Sequence, residues 1–169
     1  FECLTLIGIA MQVARSGRPA SCCDHLFSHI LDMTGYRFKG KLQSHGFQVA
    51  LGTLTMCAVF DELFRIDLSS IDVDTCVAAW PSLQGEQERA LAIFRDFPAP
   101  ELGFTEISKK YDGAEVVRRQ LETIKACWPE FREKLRIQVY SFDKMRSMMK
   151  AVGAPCDPSD IGLTRQELK

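Results

Sequence analysis

The chain has no C-x-x-C pair, and its cysteines (Cys3, Cys22, Cys23, Cys57, Cys76, Cys127 and Cys156) are odd in number and scattered. That argues against a zinc finger and against a regular disulfide framework. Reduced thiols in a cytoplasmic protein are expected instead, most of them small core residues. Positive charge is not in excess: 21 Lys and Arg stand against 22 Asp and Glu, for a net charge of −1. A basic surface for nucleic acid or for an anionic membrane is therefore not expected. No apolar run is long enough to span a bilayer. The longest near-apolar stretch, Val49 to Phe60, carries Gly52, Thr53 and Thr55 and leads into Asp61-Glu62. Strand alternation never extends beyond a few residues, and there is no repeat or low-complexity segment, which leaves little room for a sheet-based or solenoid fold.

What is present is helical periodicity in a chain of 169 residues, 46% apolar and 25% charged, enough for one domain with a real core. Leu4, Ile7, Met11 and Val13-Ala14 give a first helix one apolar face, ending near Gly17. Ser21 is expected to cap a second helix, with Asp24 in a capping-box position and Gly35 as the stop after Thr34. Tyr36 to Ser44 reads as a polar loop. A long helix from about His45 to Ile66 is apolar on most faces and therefore central. Ser70 or Asp72 caps a short helix ending at Trp80-Pro81. Gly85 to Phe97 is another, stopped by Pro98-Ala99-Pro100. Ala114 to Cys127 carries a stripe of Val117, Leu121 and Ile124. Trp128-Pro129 should break or kink it, and Glu130 to Tyr140 continues. Ser141 caps Phe142 to Val152, closed by Gly153 and Pro155. The expected fold is all-α, a compact bundle of about seven or eight helices. The chain starts at Phe1 in mid-pattern, and Leu163 to Leu168 opens a helix as the chain stops. A piece of a larger protein, truncated at both ends, is the expectation.

Histidine is scarce, with three in the chain. All three histidines, His25, His29 and His45, lie in one short stretch. His25 and His29 are spaced i, i+4 and project from one helix face. His45 lies across the loop, and antiparallel packing of the two helices would return it toward the first pair. Imidazole is a common ligand for zinc, iron and nickel, and a catalytic metal usually takes three protein ligands. Spacing alone leaves two readings open: a divalent metal site, or unrelated surface histidines with His45 at a helix start. The glutamate of H-E-x-x-H is missing, so a metalloprotease does not follow. Cys22 and Cys23 adjoin His25, but neighbours on a helix point in different directions, and ordinary packing or surface thiols are expected there.

The order of features resembles a known family. Leu6-Ile7-Gly8-Ile9-Ala10-Met11, Ser16-Gly17-Arg18-Pro19-Ala20-Ser21 and Asp24-His25-Leu26-Phe27-Ser28-His29 come first. His45-Gly46 with Val49-Ala50-Leu51-Gly52-Thr53, then Gly153-Ala154-Pro155 with Asp160-Ile161-Gly162, complete the series. Together they look like the C-terminal helical domain of sn-glycerol-1-phosphate dehydrogenases, within the superfamily of iron-containing alcohol dehydrogenases, glycerol dehydrogenase and dehydroquinate synthase. The resemblance spans residues 6 to 162; residues 67 to 140 are only compatible with it. Departures cluster around the histidines. Cys22-Cys23 replaces a pair of glycine and a small residue, Asp24 replaces glutamate, Phe47 replaces a polar residue, and the loop between His29 and His45 is longer.

The resemblance implies that residues 1–169 are the metal-binding helical domain of a dehydroquinate synthase-like fold. An N-terminal α/β domain binding NAD or NADP would precede it, and a small phosphorylated polyol would lie in the cleft between them. By position His25 and His45 match metal ligands, for zinc first, or iron or nickel. His29 matches a substrate-contacting histidine that can hydrogen-bond a hydroxyl or relay its proton, a catalytic role. Arg18 is a candidate for substrate phosphate, set against a structural salt bridge. The family's third ligand, an aspartate, and its nucleotide-binding glycines fall upstream of this chain, so no cofactor-binding residue is expected here and the isolated chain should be inactive. The function implied is that of an NAD(P)-dependent glycerol-1-phosphate dehydrogenase reducing dihydroxyacetone phosphate. Two alternatives stand beside it: a relative acting on glycerol or a sugar phosphate, and a stand-alone helical binding module. Homo-oligomerisation stays open.

Overall fold

The computed structural model describes residues 2–17 and 20–166. Among these residues eight α-helices and one minimal hairpin occur, so the chain is all-α. No helix among them is long and apolar enough to cross a membrane. Contacts divide the chain into two compact units, Phe1–Asp61 with Tyr140–Lys169 and Glu62–Val139.

The first unit begins with α1 (Glu2–Ala14), which buries none of its residues. Its apolar positions are displayed: Leu4 and Val13 are 72% and 81% exposed. Next come α2 (Cys23–Met33) and a hairpin of β1 (Arg37–Phe38) and β2 (Lys41–Leu42). The hairpin occupies the segment expected to be a loop. Its turn residues Lys39 and Gly40 both have positive φ, 53° and 77°, the geometry of a tight two-residue connection. α3 (His45–Leu63) follows and buries Gln48, Leu51, Gly52, Leu54 and Cys57. Burial, and after it the charge of Asp61, raises the Cys57 thiol above its ordinary range. α8 (Phe142–Ala151) starts at Ser141, whose hydroxyl accepts from the Lys144 amide as the capping pattern predicts. Asp61 assists, accepting from the Phe142 amide at 2.9 Å.

The core of this unit is Leu51 with Ile161 and Leu163, and Leu31 and Tyr36 pack against it. The Tyr36 hydroxyl donates to the Ile161 carbonyl at 3.0 Å, tying the short 3₁₀ turn Pro158–Ile161 to the start of the hairpin. Gly162 ends that turn at φ 84°, and a Cβ there would stand 2.1 Å from the Phe38 ring. Only glycine meets both conditions.

The second unit holds α4 (Val73–Ala78), α5 (Leu83–Ile93), α6 (Glu101–Lys110) and α7 (Ala114–Gln138). Asp72 caps α4, its carboxylate accepting from the amides of Asp74 and Thr75. Ser82 caps α5 through the Gly85 amide. α5 stops at Ile93, short of the Phe97 expected, and Pro98-Ala99-Pro100 precede a helix that the sequence pattern does not announce, α6, which starts directly after them. Gly103 lets α6 lie against Phe94, where a Cβ would come within 2.6 Å of the ring.

The expected break at Trp128-Pro129 does not occur: α7 runs through Pro129 without interruption. The reason is anchoring on both sides. Trp128 is 1% exposed and its indole N–H donates to the Ile66 carbonyl at 3.2 Å. One turn on, Arg132 donates to the Phe64 carbonyl. An internal proline costs about 3 kcal/mol. A buried tryptophan contributes about 3–5 kcal/mol, which offsets it.

The cysteines also depart from expectation. All seven carry thiols rather than disulfides, but only Cys57 is buried; Cys156 is half-buried and Cys3, Cys22, Cys23, Cys76 and Cys127 are exposed.

Candidate functional site

The three histidines come from two helices of the first unit. α2 does not start at Ser21 as expected. Cys22 is its N-cap residue and makes no side-chain capping bond. Asp24, expected to bond back to Ser21, turns to its neighbour: Oδ1 accepts from the His25 amide at 3.0 Å and lies 3.2 Å from His25 Nδ1. A carboxylate offers only acceptors, so the edge of the ring that faces it is Nδ1–H, and in the neutral imidazole Nε2 is then the nitrogen with the lone pair. Asp24 Oδ2 also lies 3.4 Å from Thr53 Oγ1 of α3, whose hydroxyl has its shorter bond to the Val49 carbonyl at 3.0 Å.

The helices meet closely. Gly52 of α3 touches the backbone of Asp24, where a Cβ would stand 2.3 Å from the carbonyl oxygen. The hairpin between α2 and α3 returns the chain, and the His45 ring lies 5.3 Å from the His25 ring, centroid to centroid. His29, one turn along α2, has its ring 6.5 Å from that of His45. The site is open: His29 and His45 are exposed, and the His25 side chain retains 23% exposure.

Beneath the rings lies a polar network that sequence reasoning missed. Ser28 is fully buried and Gln48 is 2% exposed. Ser28 Oγ lies 2.6 Å from His45 Nδ1 and donates to Gln48 Oε1 at 2.8 Å. Gln48 Nε2 in turn donates to Asp32 Oδ1 and to the Gln43 carbonyl, each at 3.1 Å. Asp32 Oδ2 is 4.0 Å from His45 Nδ1, beyond hydrogen-bond reach. The signal was present only as periodicity. His25, Ser28, His29 and Asp32 share one face of α2, and His45, Gln48 and Gly52 share one face of α3. A serine and a glutamine at helix positions carry no mark of burial by themselves.

The donors suit a divalent ion of the zinc, iron or nickel type. Two imidazoles held at about 2.1 Å on one tetrahedral ion bring their ring centroids to roughly 5 Å. The spacing of His25 and His45 agrees with that, and His29 stands farther off. Among the described residues no group of three His, Cys, Asp or Glu side chains forms a complete ligand set. The pair is thus short of the three protein ligands of a catalytic metal. Arg18, the candidate for substrate phosphate, lies outside the described residues.

This arrangement is a surface-facing imidazole pair backed by buried polar residues. Known proteins narrow the class. The chain is 39% identical over 66 residues to a glycerol-1-phosphate dehydrogenase [NAD(P)+] of Methanococcus vannielii, a match covering 38% of this chain and 20% of the relative. It is 49% identical over 49 residues to that of Korarchaeum cryptofilum, 29% of this chain and 16% of the relative. It is 48% identical over 61 residues to that of Staphylothermus marinus, 36% of this chain and 16% of the relative. The chain thus spans about a fifth or less of the length of these curated relatives. No family model matches the chain, and neither does any solved structure.

Proposed function

We propose that this chain is the metal- and substrate-binding helical part of an NAD(P)-dependent polyol-phosphate dehydrogenase, acting on glycerol 1-phosphate and dihydroxyacetone phosphate. The observation that carries the reading is the convergence of His25 and His45, 5.3 Å apart between ring centroids, in a chain similar to several archaeal enzymes of that name.

In this reading His25 and His45 hold a divalent metal, zinc first among the candidates, through their Nε2 atoms. A bound metal supplies Lewis acidity toward the substrate's hydroxyl or carbonyl oxygen. The chain's own residues do the rest. Asp24 orients His25, and Ser28 abuts His45 from beneath. His29, beside the pair, hydrogen-bonds a substrate hydroxyl or relays its proton. The missing ligand, an aspartate, and the nucleotide-binding glycines belong to an N-terminal α/β domain. Without that domain the 169-residue chain neither binds NAD(P) nor turns over substrate, because dinucleotide binding needs a glycine-rich strand-turn-helix that this sequence lacks.

The test is a substrate panel on the intact protein with NADH and NADPH. Reduction of dihydroxyacetone phosphate well above that of free dihydroxyacetone supports the assignment. Preference for an unphosphorylated polyol or a sugar phosphate overturns the substrate, and absence of any turnover or nucleotide binding favours a non-catalytic helical module.

A further inference from the structure

The buried pair beneath the histidines has a direction of hydrogen bonding that can be read from its two ends. Asp32 Oδ1 and the Gln43 carbonyl, each 3.1 Å from Gln48 Nε2, can only accept. The Gln48 amide must therefore present its NH₂ to them and its carbonyl to Ser28; a flipped amide would set oxygen against oxygen twice. With Gln48 Oε1 2.8 Å from Ser28 Oγ, the one hydroxyl proton of Ser28 is committed to Gln48. Ser28 Oγ can then only accept from His45 Nδ1 at 2.6 Å. The neutral His45 imidazole is left with its proton on Nδ1 and its lone pair on Nε2.

We propose that Ser28 and Gln48 are positioning residues that lock His45 in the Nδ1–H form, so that Nε2 is the atom it offers to a ligand. Complete burial of Ser28 makes the lock firm, because neither water nor a second acceptor competes for its hydroxyl. Partners of this kind orient ligand histidines and raise their basicity. The metal part of this inference rests on the function proposed above; the tautomer does not.

Two measurements on the 169-residue chain separate them. Long-range ¹H–¹⁵N spectra of the imidazoles, recorded in mildly alkaline buffer without metal, report which ring nitrogen carries the proton. The wild-type chain should show His45 as Nδ1–H. Ser28→Ala, which removes the acceptor, and Gln48→Met, which frees the Ser28 hydroxyl to donate to Nδ1, should each shift His45 toward Nε2–H. Zinc titrated into the same samples should move the His25 and His45 Nε2 signals together, with affinity lower in both variants by about 10–100-fold. A merely structural role for Ser28 and Gln48 would leave the tautomer where it was. Nε2–H in the wild-type chain, or an unchanged tautomer in both folded variants, overturns the proposal. Should a variant not fold, the wild-type spectrum and the other variant still decide. If the tautomer responds as stated but zinc leaves both rings unmoved, the lock stands and the metal reading falls.

Discussion

Gly52 sits where a side chain would meet backbone. A Cβ at that point would lie 2.3 Å from the Asp24 carbonyl oxygen and 2.9 Å from its Cα, both of them backbone atoms that a side-chain rotation cannot move. The same Asp24 holds the His25 ring. The close approach therefore sets the height of His25 relative to α3 as well as the helix spacing. Gly52→Ala is expected to cost about 1–3 kcal/mol, the range for overpacking a filled contact. Urea unfolding followed by helical circular dichroism measures it. Unchanged stability would mean that the two helices are not held together at this point. At this scale the sequence shows residue types and not burial. The histidines were legible as a cluster because the chain has only three. Ser28 and Gln48 were not, because their importance comes from where α3 crosses α2.

At the scale of elements, punctuation was read more reliably than its sign. Ser141 and Asp72 cap helices as their side chains suggest. Proline is the ambiguous signal at two places. Pro98 to Pro100 read as the stop of a helix reaching Phe97, but α5 already ends at Ile93 and the prolines instead precede α6, whose Gly103 weakens the helical signal where it packs on Phe94. Pro129 reads as a break or a kink; α7 is unbroken there, held by the tertiary anchoring of Trp128 and Arg132. The hairpin at Arg37–Leu42 escaped notice since each strand has only two residues and no alternation to detect. The override at Pro129 has a measurable consequence. If α7 is continuous, Pro129→Ala restores the amide donor that the Lys125 carbonyl lacks and removes the ring's clash with the preceding turn. Stability should then rise, by up to about 3 kcal/mol, in the same urea experiment. A loss of stability would show that the proline fits a bend that matters for α7.

At the scale of the molecule, the three histidines and their supporting residues all belong to the unit formed by Phe1–Asp61 and Tyr140–Lys169. The all-α class was legible because helical periodicity ran through nearly the whole chain while strand alternation did not. The division into two units was not legible, since no linker of distinctive composition separates them. The proposed function divides labour between this chain, which would hold metal and substrate, and a nucleotide-binding domain that would precede it. One variant of the intact protein examines that division directly. In His45→Ala, dihydroxyacetone phosphate reduction and the affinity for NADH and NADPH are measured side by side. The account predicts that turnover is abolished while nucleotide affinity is unchanged. Near-normal turnover in that variant would contradict it, and would return His25, His29 and His45 to three surface histidines that happen to meet.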